Sequence, residues 1–373
     1  MEFLPTTLGT RPRLAVELRP EGLVAARAED AAGLLAAVSR ARLADGVVTA
    51  GLKAGNIGNH AAVVAAFRKV MEAVVDKANS RSREVTLIVP DAAARVLLLE
   101  FDSLPAKAVE ALPVVRFRLK KMLPFEAEDA AVSYQVMSTT KSLMRVLAVA
   151  MPREVLAEYE AVVREAGFEP GAILPSTLAA LAGLDVSEAA ALVVNAGPKG
   201  VTTAIVQSGV LLLHRSVDMT TEEPYVESAV SLPLVDREDS MQEWAQQHPV
   251  PIGATAEAEA AREAALAESN AVLEGVREEM RELDQTSGVR EVAQAVSVAA
   301  AYFEDTLGLP PGAVLSAGIT GSEALGGMLR EAGFGGQEMR VREMVAAEML
   351  GAGASTATVP RCWMAGVRGA LKN

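Results

Sequence analysis

The sequence predicts an α/β protein of two related domains, each of which begins with the same short motif. The first copy runs from Leu14 to Ala26 and the second from Leu192 to Ala204, with a leucine, a proline, a glycine and an alanine in register. In both copies a proline and a charged residue suit the centre of a tight turn, because proline fixes φ there. Each copy is therefore predicted as strand, turn, strand. The length of 373 residues also exceeds that of one ordinary core.

A hairpin of this kind at the head of two domains resembles the actin-like ATPase superfamily, whose domains are RNase H-like. In that superfamily each turn holds nucleotide phosphates, and an acidic residue precedes the turn glycine. The chemistry is general, because backbone N–H groups of a glycine turn approach phosphate oxygens closely and a nearby carboxylate can hold a magnesium shell. The resemblance implies ATP and Mg²⁺ as cofactors, with Glu17 as the residue nearest the metal shell.

Both turns depart from the superfamily pattern. In the first turn the expected Asp-x-Gly reads Glu17-Leu18-Arg19, and a lysine expected further on is Val24. In the second turn the acid is replaced by Asn195. We therefore expect slow hydrolysis at best, assign no catalytic residue, and leave nucleotide binding open. Glu17 and Asn195 could equally be strand-end polar residues that are satisfied locally. The resemblance gives these nucleotide-binding candidates, the last two from a segment similar to the superfamily's adenosine loop: Glu17, Arg19, Asn195, Gly197, Lys199, Gly200, Thr202, Gly318 and Gly321.

The stretch from Leu104 to Val136 points to a narrower family. It contains a Leu-Pro pair, a helical segment that ends in Pro124-Phe125, and a strand that reads Tyr134-Gln135-Val136. This combination resembles PilM, the cytoplasmic actin-like component of the type IV pilus inner-membrane platform. The resemblance implies two actin-like domains with an FtsA-like inserted subdomain in the first. It also implies a place at the inner face of the bacterial inner membrane and binding to the cytoplasmic tail of a PilN-like protein and to other platform proteins.

The family architecture can be placed along the chain by its strand and helix patterns. We expect a strand at Val47–Leu52 and a helix that Asn59 caps. The predicted parts are the first actin-like domain at 11–83, 175–188 and 355–373; the inserted subdomain at 84–174; the second actin-like domain at 189–219 and 286–354; and an insertion with a long helix at 220–285.

The predicted helix from Ala106 to Leu123 carries apolar and basic residues together. From it we select Arg116, Phe117 and Lys120 as partner-binding candidates, facing an acidic partner or lipid headgroups. The alternative is a solvated basic face behind a packed apolar one. Pro113 lies inside this segment, where a proline costs about 3 kcal/mol, so the helix either kinks there or begins anew.

Composition excludes several other classes of function. The net charge of −13 disfavours nucleic-acid binding, because phosphate repels such a surface. Cys362 is the one cysteine, which fits a reducing cytoplasm, and the three histidines lack metal-ligand spacing. No apolar run reaches membrane-spanning length, so we expect membrane association only through partners. The alternative function is an active ATPase or sugar-kinase-like enzyme, which would want an acid before both turns.

Overall fold

The computed structural model describes residues 12–75, 83–219, 288–333, 340–355 and 358–372. Contacts divide the chain into a unit of Met1–Met219 with Glu291–Asn373 and a second unit of Thr220–Arg290. The predicted insertion and long helix at 220–285 lie outside the described residues. The architecture below is that of the first unit.

The described residues form two five-stranded sheets, one three-stranded sheet and the helices that cover them. The strands are β1 Leu14–Arg19, β2 Gly22–Ala28, β3 Leu35–Arg42, β4 Glu84–Val89, β5 Arg95–Phe101, β6 Ala130–Thr139, β7 Met144–Pro152, β8 Glu169–Pro175, β9 Ala191–Gly197, β10 Gly200–Gln207, β11 Val210–Asp218, β12 Ala313–Ser316 and β13 Arg340–Glu343. The helices are α1 His60–Val74, α2 Ala108–Leu119, α3 Arg153–Glu165, α4 Ser176–Ala182, α5 at residues 288–307, α6 Gly321–Glu331, α7 Ala352–Ser355 and α8 Ala365–Leu371.

The two large sheets have the same topology. Their strand orders are β3-β2-β1-β4-β8 and β11-β10-β9-β12-β13. In each sheet the two strands of the first hairpin are antiparallel. The first strand of the hairpin also pairs in parallel with a later strand, which is β4 in the first sheet and β12 in the second. Both hairpins have two-residue turns, with Arg19 opposite Gly22 and Gly197 opposite Gly200. The predicted α/β fold of two related domains is therefore confirmed.

Local predictions in the first domain had mixed outcomes. The helix at α1 is confirmed, and the side chain of Asn59 accepts a hydrogen bond from the backbone N–H of Ala62 at 3.0 Å. The strand expected at 47–52 is wrong, since this stretch makes only the isolated bridge of Val48 with Ile57. The strand that follows the first hairpin is instead β3, at Leu35–Arg42, whose small and polar residues give a weak strand pattern.

The boundaries expected for the inserted subdomain were too wide. The separate three-stranded sheet, in the order β5-β7-β6, spans only Arg95–Pro152, and α2 packs on one of its faces. β4 and β8, at the two ends of the expected range 84–174, belong to the first large sheet. Helix α3 also packs into that domain's core. Strand β4 is largely buried and pairs in parallel with β8, a placement that the sequence of the two strands alone does not reveal.

Helix α8 closes the first domain by packing closely on α4. The contact depends on Gly369, because a Cβ there would lie 2.0 Å from the carbonyl oxygen of Ala179 and 2.7 Å from the nitrogen of Gly183. The guanidinium of Arg368 donates to the carbonyl oxygen of Gly183 at 2.9 Å and holds the same two helices together.

We expect Gly369→Ala to lower the free energy of unfolding by about 1–3 kcal/mol, because the new methyl group forces two backbones apart. Gly327→Ala is the matched control, since no atom lies within 4 Å of the Cβ position on α6. That change should stabilise the protein by up to about 1 kcal/mol, as alanine favours helix. Urea unfolding of both variants measures the difference, and equal midpoints would contradict the packing argument.

Candidate functional site

The duplicated topology gathers a set of polar side chains where the two hairpins approach each other. Glu17 lies in β1 two residues before the end of the strand, and Asn195 holds the same position in β9. Asp91 follows β4, and Ser176 and Thr177 are the first residues of α4, after β8. Because β1, β4 and β8 are parallel neighbours, their carboxyl ends meet at one edge of the sheet, where ligands bind in open α/β sheets.

Glu17 and Arg19 form a buried ion pair in this cluster. One guanidinium nitrogen of Arg19 lies 2.7 Å from Oε1 of Glu17, and the side chains are 7% and 0% exposed. The Ser176 hydroxyl donates to the same carboxylate oxygen at 2.5 Å. On its other side Arg19 lies 6.0 Å from the ring centroid of Trp363, and Arg40 stacks on that ring at 4.5 Å. The first turn is therefore filled by its own arginine.

Asn195 joins the second hairpin to the first domain. Its amide nitrogen lies 3.2 Å from Oδ2 of Asp91 and 3.0 Å from the hydroxyl oxygens of Ser176 and Thr177. Asp91 in turn accepts from the backbone N–H of Thr177 at 2.9 Å and from the Thr177 hydroxyl at 2.5 Å. The amide of Asn195 donates to the carboxylate of Asp91, which can only accept. It also donates to the hydroxyls of Ser176 and Thr177, whose own protons are already donated to carboxylates. A carboxylate at this position could not make these bonds.

Burial dominates the electrostatics of Glu17. Burial raises the pKa of this carboxyl above its ordinary value, while Arg19 and the hydrogen bond from Ser176 lower it. The second carboxylate oxygen, Oε2, has no hydrogen-bond partner among the described residues. It faces the backbone of α8, because a Cβ on Gly366 would lie 2.5 Å from it.

A raised pKa makes the stability contribution of Glu17 depend on pH. The folded state holds the Glu17 proton more tightly than the unfolded state, so this contribution is fully present below about 4.5 and is lost as pH rises through the raised pKa. We therefore expect the free energy of unfolding of the wild type, measured relative to Glu17→Gln, to fall as pH rises above about 4.5. Each unit of pKa difference is worth about 1.4 kcal/mol. Urea unfolding of both proteins across this range tests it; a constant difference would contradict the assignment.

Of the other nucleotide-binding candidates, Thr202 lies directly opposite Asn195 in the β9–β10 hairpin, and the rest lie at the second turn or after β12. Lys199 is exposed at the tip of the second turn, between Gly197 and Gly200. The hydroxyl of Thr202 is 2.9 Å from that of Ser216 on the neighbouring strand. Of the nine candidates, the structure thus brings together the side chains of Glu17, Arg19 and Asn195.

The two glycines of the predicted adenosine loop have structural roles in the second domain. A Cβ on Gly318 would lie 2.1 Å from the carbonyl oxygen of Ala196, so this glycine lets the loop after β12 pack on β9. Gly321 has φ of 76° at the start of α6. At the same helix end a carboxylate is already present, since Glu343 accepts from the backbone N–H of Ser322 at 2.7 Å.

Sequence reasoning missed four members of the cluster: Asp91, Ser176, Thr177 and Trp363. Asp91 and Ser176 had a usable signal, because each directly follows an apolar strand that ends in proline. The position of Trp363 beside Arg19 had no signal, since 344 residues separate them along the chain.

The cluster does not fit a magnesium–nucleotide as the superfamily binds it. In the first turn the carboxylate of Glu17 is fully buried, with one oxygen engaged by Arg19 and Ser176. The second turn presents the amide of Asn195 where a metal shell needs a carboxylate. Among the described residues, no group of three or more acidic, histidine or cysteine side chains could hold a metal ion.

The three partner-binding candidates differ in their surroundings. Arg116 is half-buried and donates to the carbonyl oxygens of Ala127 and Ala130 at 2.7 and 3.0 Å, so it fastens the segment that leads into β6. Lys120 lies 3.0 Å from the carboxylate of Glu128 on the surface. Phe117 is 74% exposed and is free to contact a partner. Helix α2 runs continuously through Pro113.

Comparison with known proteins shows the fold. No protein-family model matches the sequence, and neither does any curated protein. A chain of the PilM–PilN type IV pilus biogenesis complex superposes over 91% of this chain and 90% of its own, with a TM-score of 0.59 and 15% sequence identity. The protein has the actin-like fold of PilM. The resemblance inferred from the sequence is thereby confirmed at the level of the fold.

Two further solved structures are similar to parts or all of the chain. The ethanolamine utilization protein EutJ from Carboxydothermus hydrogenoformans matches 98% of this chain and 92% of its own, at 12% identity and a TM-score of 0.44. The cytoplasmic domain of EpsL, an inner-membrane component of the type II secretion system of Vibrio cholerae, matches 55% and 71%, at 15% identity and a TM-score of 0.35. In the described part of this chain, every helix is too short or too polar to cross a bilayer.

Proposed function

We propose that this protein is a cytoplasmic scaffold of a type IV pilus assembly platform at the inner membrane. In this role it binds the cytoplasmic tail of a PilN-like membrane protein and contacts other platform proteins. The PilM-like fold over nearly the whole chain supports the proposal, because the complex that shares this fold contains PilN. Exposed Phe117 on α2 is the partner-binding candidate that the surface favours.

The observation that carries the proposal is the ion pair of Glu17 and Arg19 in the first turn. The Arg19 side chain takes the place that phosphate would need, and its partner is the one acid left in the two turn positions. Phosphoryl transfer needs a metal and a water held in line. Oε1 of Glu17 is engaged by Arg19 and Ser176, and Oε2 is buried against α8, so this carboxylate is offered to neither. The site is therefore a degenerate nucleotide site, and the protein acts by binding.

One observation favours the alternative of an active ATPase or sugar-kinase-like enzyme. Asp91 is half-buried beside Asn195 and could serve as a general base for a hydroxyl. Both of its oxygens, however, accept hydrogen bonds from Thr177. A base held in this way is poorly placed to take a proton from a substrate.

The test measures binding and turnover on the same protein. A synthetic peptide of the cytoplasmic tail of a PilN protein from the same genome should bind in a fluorescence anisotropy titration. Phosphate release with Mg²⁺–ATP should stay at background and should not change in Glu17→Ala. Robust magnesium-dependent turnover that disappears in Glu17→Ala would overturn the degenerate site, and absence of tail binding would overturn the scaffold role.

A further inference from the structure

A groove that shares no lining residue with the polar cluster lies beside the outer edge of β5. It is a cavity of about 330 Å³, within the range of small-ligand pockets. Its walls come from β5, β6, β7 and α2 of the inserted subdomain and from β11 and α5 of the second domain. We call it the β5 groove and define it by Leu98–Glu100, Met122, Leu211–Leu212 and Tyr302.

The β5 groove reaches the edge of β5 and also one face of its sheet, where Met137 and Arg145 line it. Leu98, Leu99 and Glu100 are consecutive and all line it, whereas side chains on one face of a strand alternate. Among the described residues, β5 pairs with β7 alone. Its outer edge therefore offers a row of backbone N–H and C=O groups, the arrangement that accepts an added strand.

The opposite wall of the groove is β11, whose irregular register makes it a poor pairing partner for β5. Strand β11 has a register irregularity beside Leu211, opposite Ile205 and Val206 of β10. An edge interrupted in this way is a poor template for pairing. The hydroxyl of Tyr302 also lies 3.4 Å from the carbonyl oxygen of Leu212. Strand β5, in contrast, keeps a regular register over all seven of its residues.

Apolar side chains are left exposed where the groove opens. Met122 is 47% exposed and Tyr302 is 41% exposed, although both line the cavity. Leucine side chains from β5 and β11 form the floor. Methionine is unbranched and adapts to different apolar partners, which suits a surface that receives side chains from another chain.

The charges at the rim select the occupant. Arg118 lines the groove, is exposed and makes no ion pair with any described residue. Arg145 lies 3.4 Å from Glu100, and both side chains are about half exposed, so this pair is weak. Among the described lining residues, two guanidinium groups stand against one carboxylate, which gives a net positive rim. An acidic side chain of the bound segment would accept a charge-assisted hydrogen bond from Arg118.

We propose that the β5 groove binds an extended segment of a partner protein, which adds a strand to β5 and places apolar side chains and one acidic side chain in the groove. The inference does not depend on the PilN-like tail, because it rests on the edge of β5 and on Arg118, which has no ion-pair partner among the described residues. It assigns the protein a second peptide site, distinct from its tail-binding activity.

A phage-displayed library of random twelve-residue peptides, selected on the full-length protein, is the probe. Selected sequences should alternate apolar residues and carry an aspartate or glutamate. A labelled selected peptide should bind Arg118→Glu at least tenfold more weakly than the wild type. Lys121→Glu is the matched control, an exposed basic residue at the end of the same helix that does not line the groove, and should change binding less than threefold.

Hydrogen exchange then locates the bound peptide. Amides of Leu98–Glu100 should exchange more slowly in its presence, as added-strand pairing requires. The proposal is overturned if no peptide is enriched, if the enriched peptides lack acidic residues, or if Arg118→Glu binds as tightly as the wild type. It is also overturned if β5 gains no protection. Displacement of the peptide by the PilN-like tail would assign the groove to the tail and overturn the second site while leaving the scaffold role intact.

Discussion

Arg19→Ala should lower the free energy of unfolding at neutral pH by about 3–5 kcal/mol, because it leaves a buried carboxylate without its counter-charge. Glu17 is completely buried, and among the described residues its one cationic contact is the 2.7 Å ion pair with Arg19. Ser176 would still donate to Glu17, but one hydrogen bond does not replace a neutralising charge. The loss should shrink at acidic pH, where Glu17 takes up a proton.

A double variant without either charge separates the effect of the ion pair on stability from the effect of lost side-chain packing. The double variant Glu17→Gln with Arg19→Met removes both charges and keeps the approximate volume, so it should unfold within about 1 kcal/mol of the wild type. Arg40→Met is the matched control, since Arg40 also stacks on Trp363, and should cost about 1 kcal/mol at most. Urea unfolding of all four proteins is the measurement. If Arg19→Ala behaved like Arg40→Met, the turn would not depend on the ion pair.

The duplicated hairpins could be predicted from sequence because their signal is local. Proline and glycine at fixed positions determine each turn, and the apolar residues on either side determine the strands. The register of Arg19 with Gly22 and of Gly197 with Gly200 follows from the two-residue turns. The PilM-like fold could be recognised for the same reason, since the segment around Tyr134 carries its motif in consecutive residues.

The boundary of the inserted subdomain could not be predicted because strand pairing is not local. Strand β4 looks the same in sequence whether it pairs with β1 or with β5, and only the register of Val16 with Leu87 decides. The same limit applies to the candidate site. Glu17 and Asn195 could be named from their place in the repeat, but their partner Ser176 comes from a helix 159 residues beyond Glu17.

The sequence pointed to Arg19 but did not reveal which group its guanidinium contacts. The resemblance gave Arg19 as a nucleotide-binding candidate. In the structure its guanidinium pairs with Glu17 of the same strand. This is possible because residues two apart in a strand have their side chains on the same face. Lys199, the other basic candidate, is exposed because it occupies the second turn itself.

Asn195→Asp, which restores the acid of the superfamily pattern, should lower the free energy of unfolding by about 3 kcal/mol at pH 7. The new carboxylate would stand where the Asn195 amide now lies 3.2 Å from an oxygen of Asp91, so two like charges would meet in a half-buried site. It would also lose the donor that now serves Ser176 and Thr177. The loss should become smaller as pH falls, because one proton shared by the two carboxylates removes the repulsion.

Magnesium provides the decisive comparison for Asn195→Asp. Two carboxylates this close supply the oxygen ligands that Mg²⁺ prefers, so millimolar MgCl₂ should restore on the order of 1 kcal/mol to this variant. Asn195→Ala is the control, since it removes the same amide donor without adding a charge, and neither it nor the wild type should respond to the metal. Thermal unfolding with MgCl₂ against matched ionic strength of NaCl measures the effect. An equal response of all three proteins would mean that position 195 no longer faces the remains of a metal site.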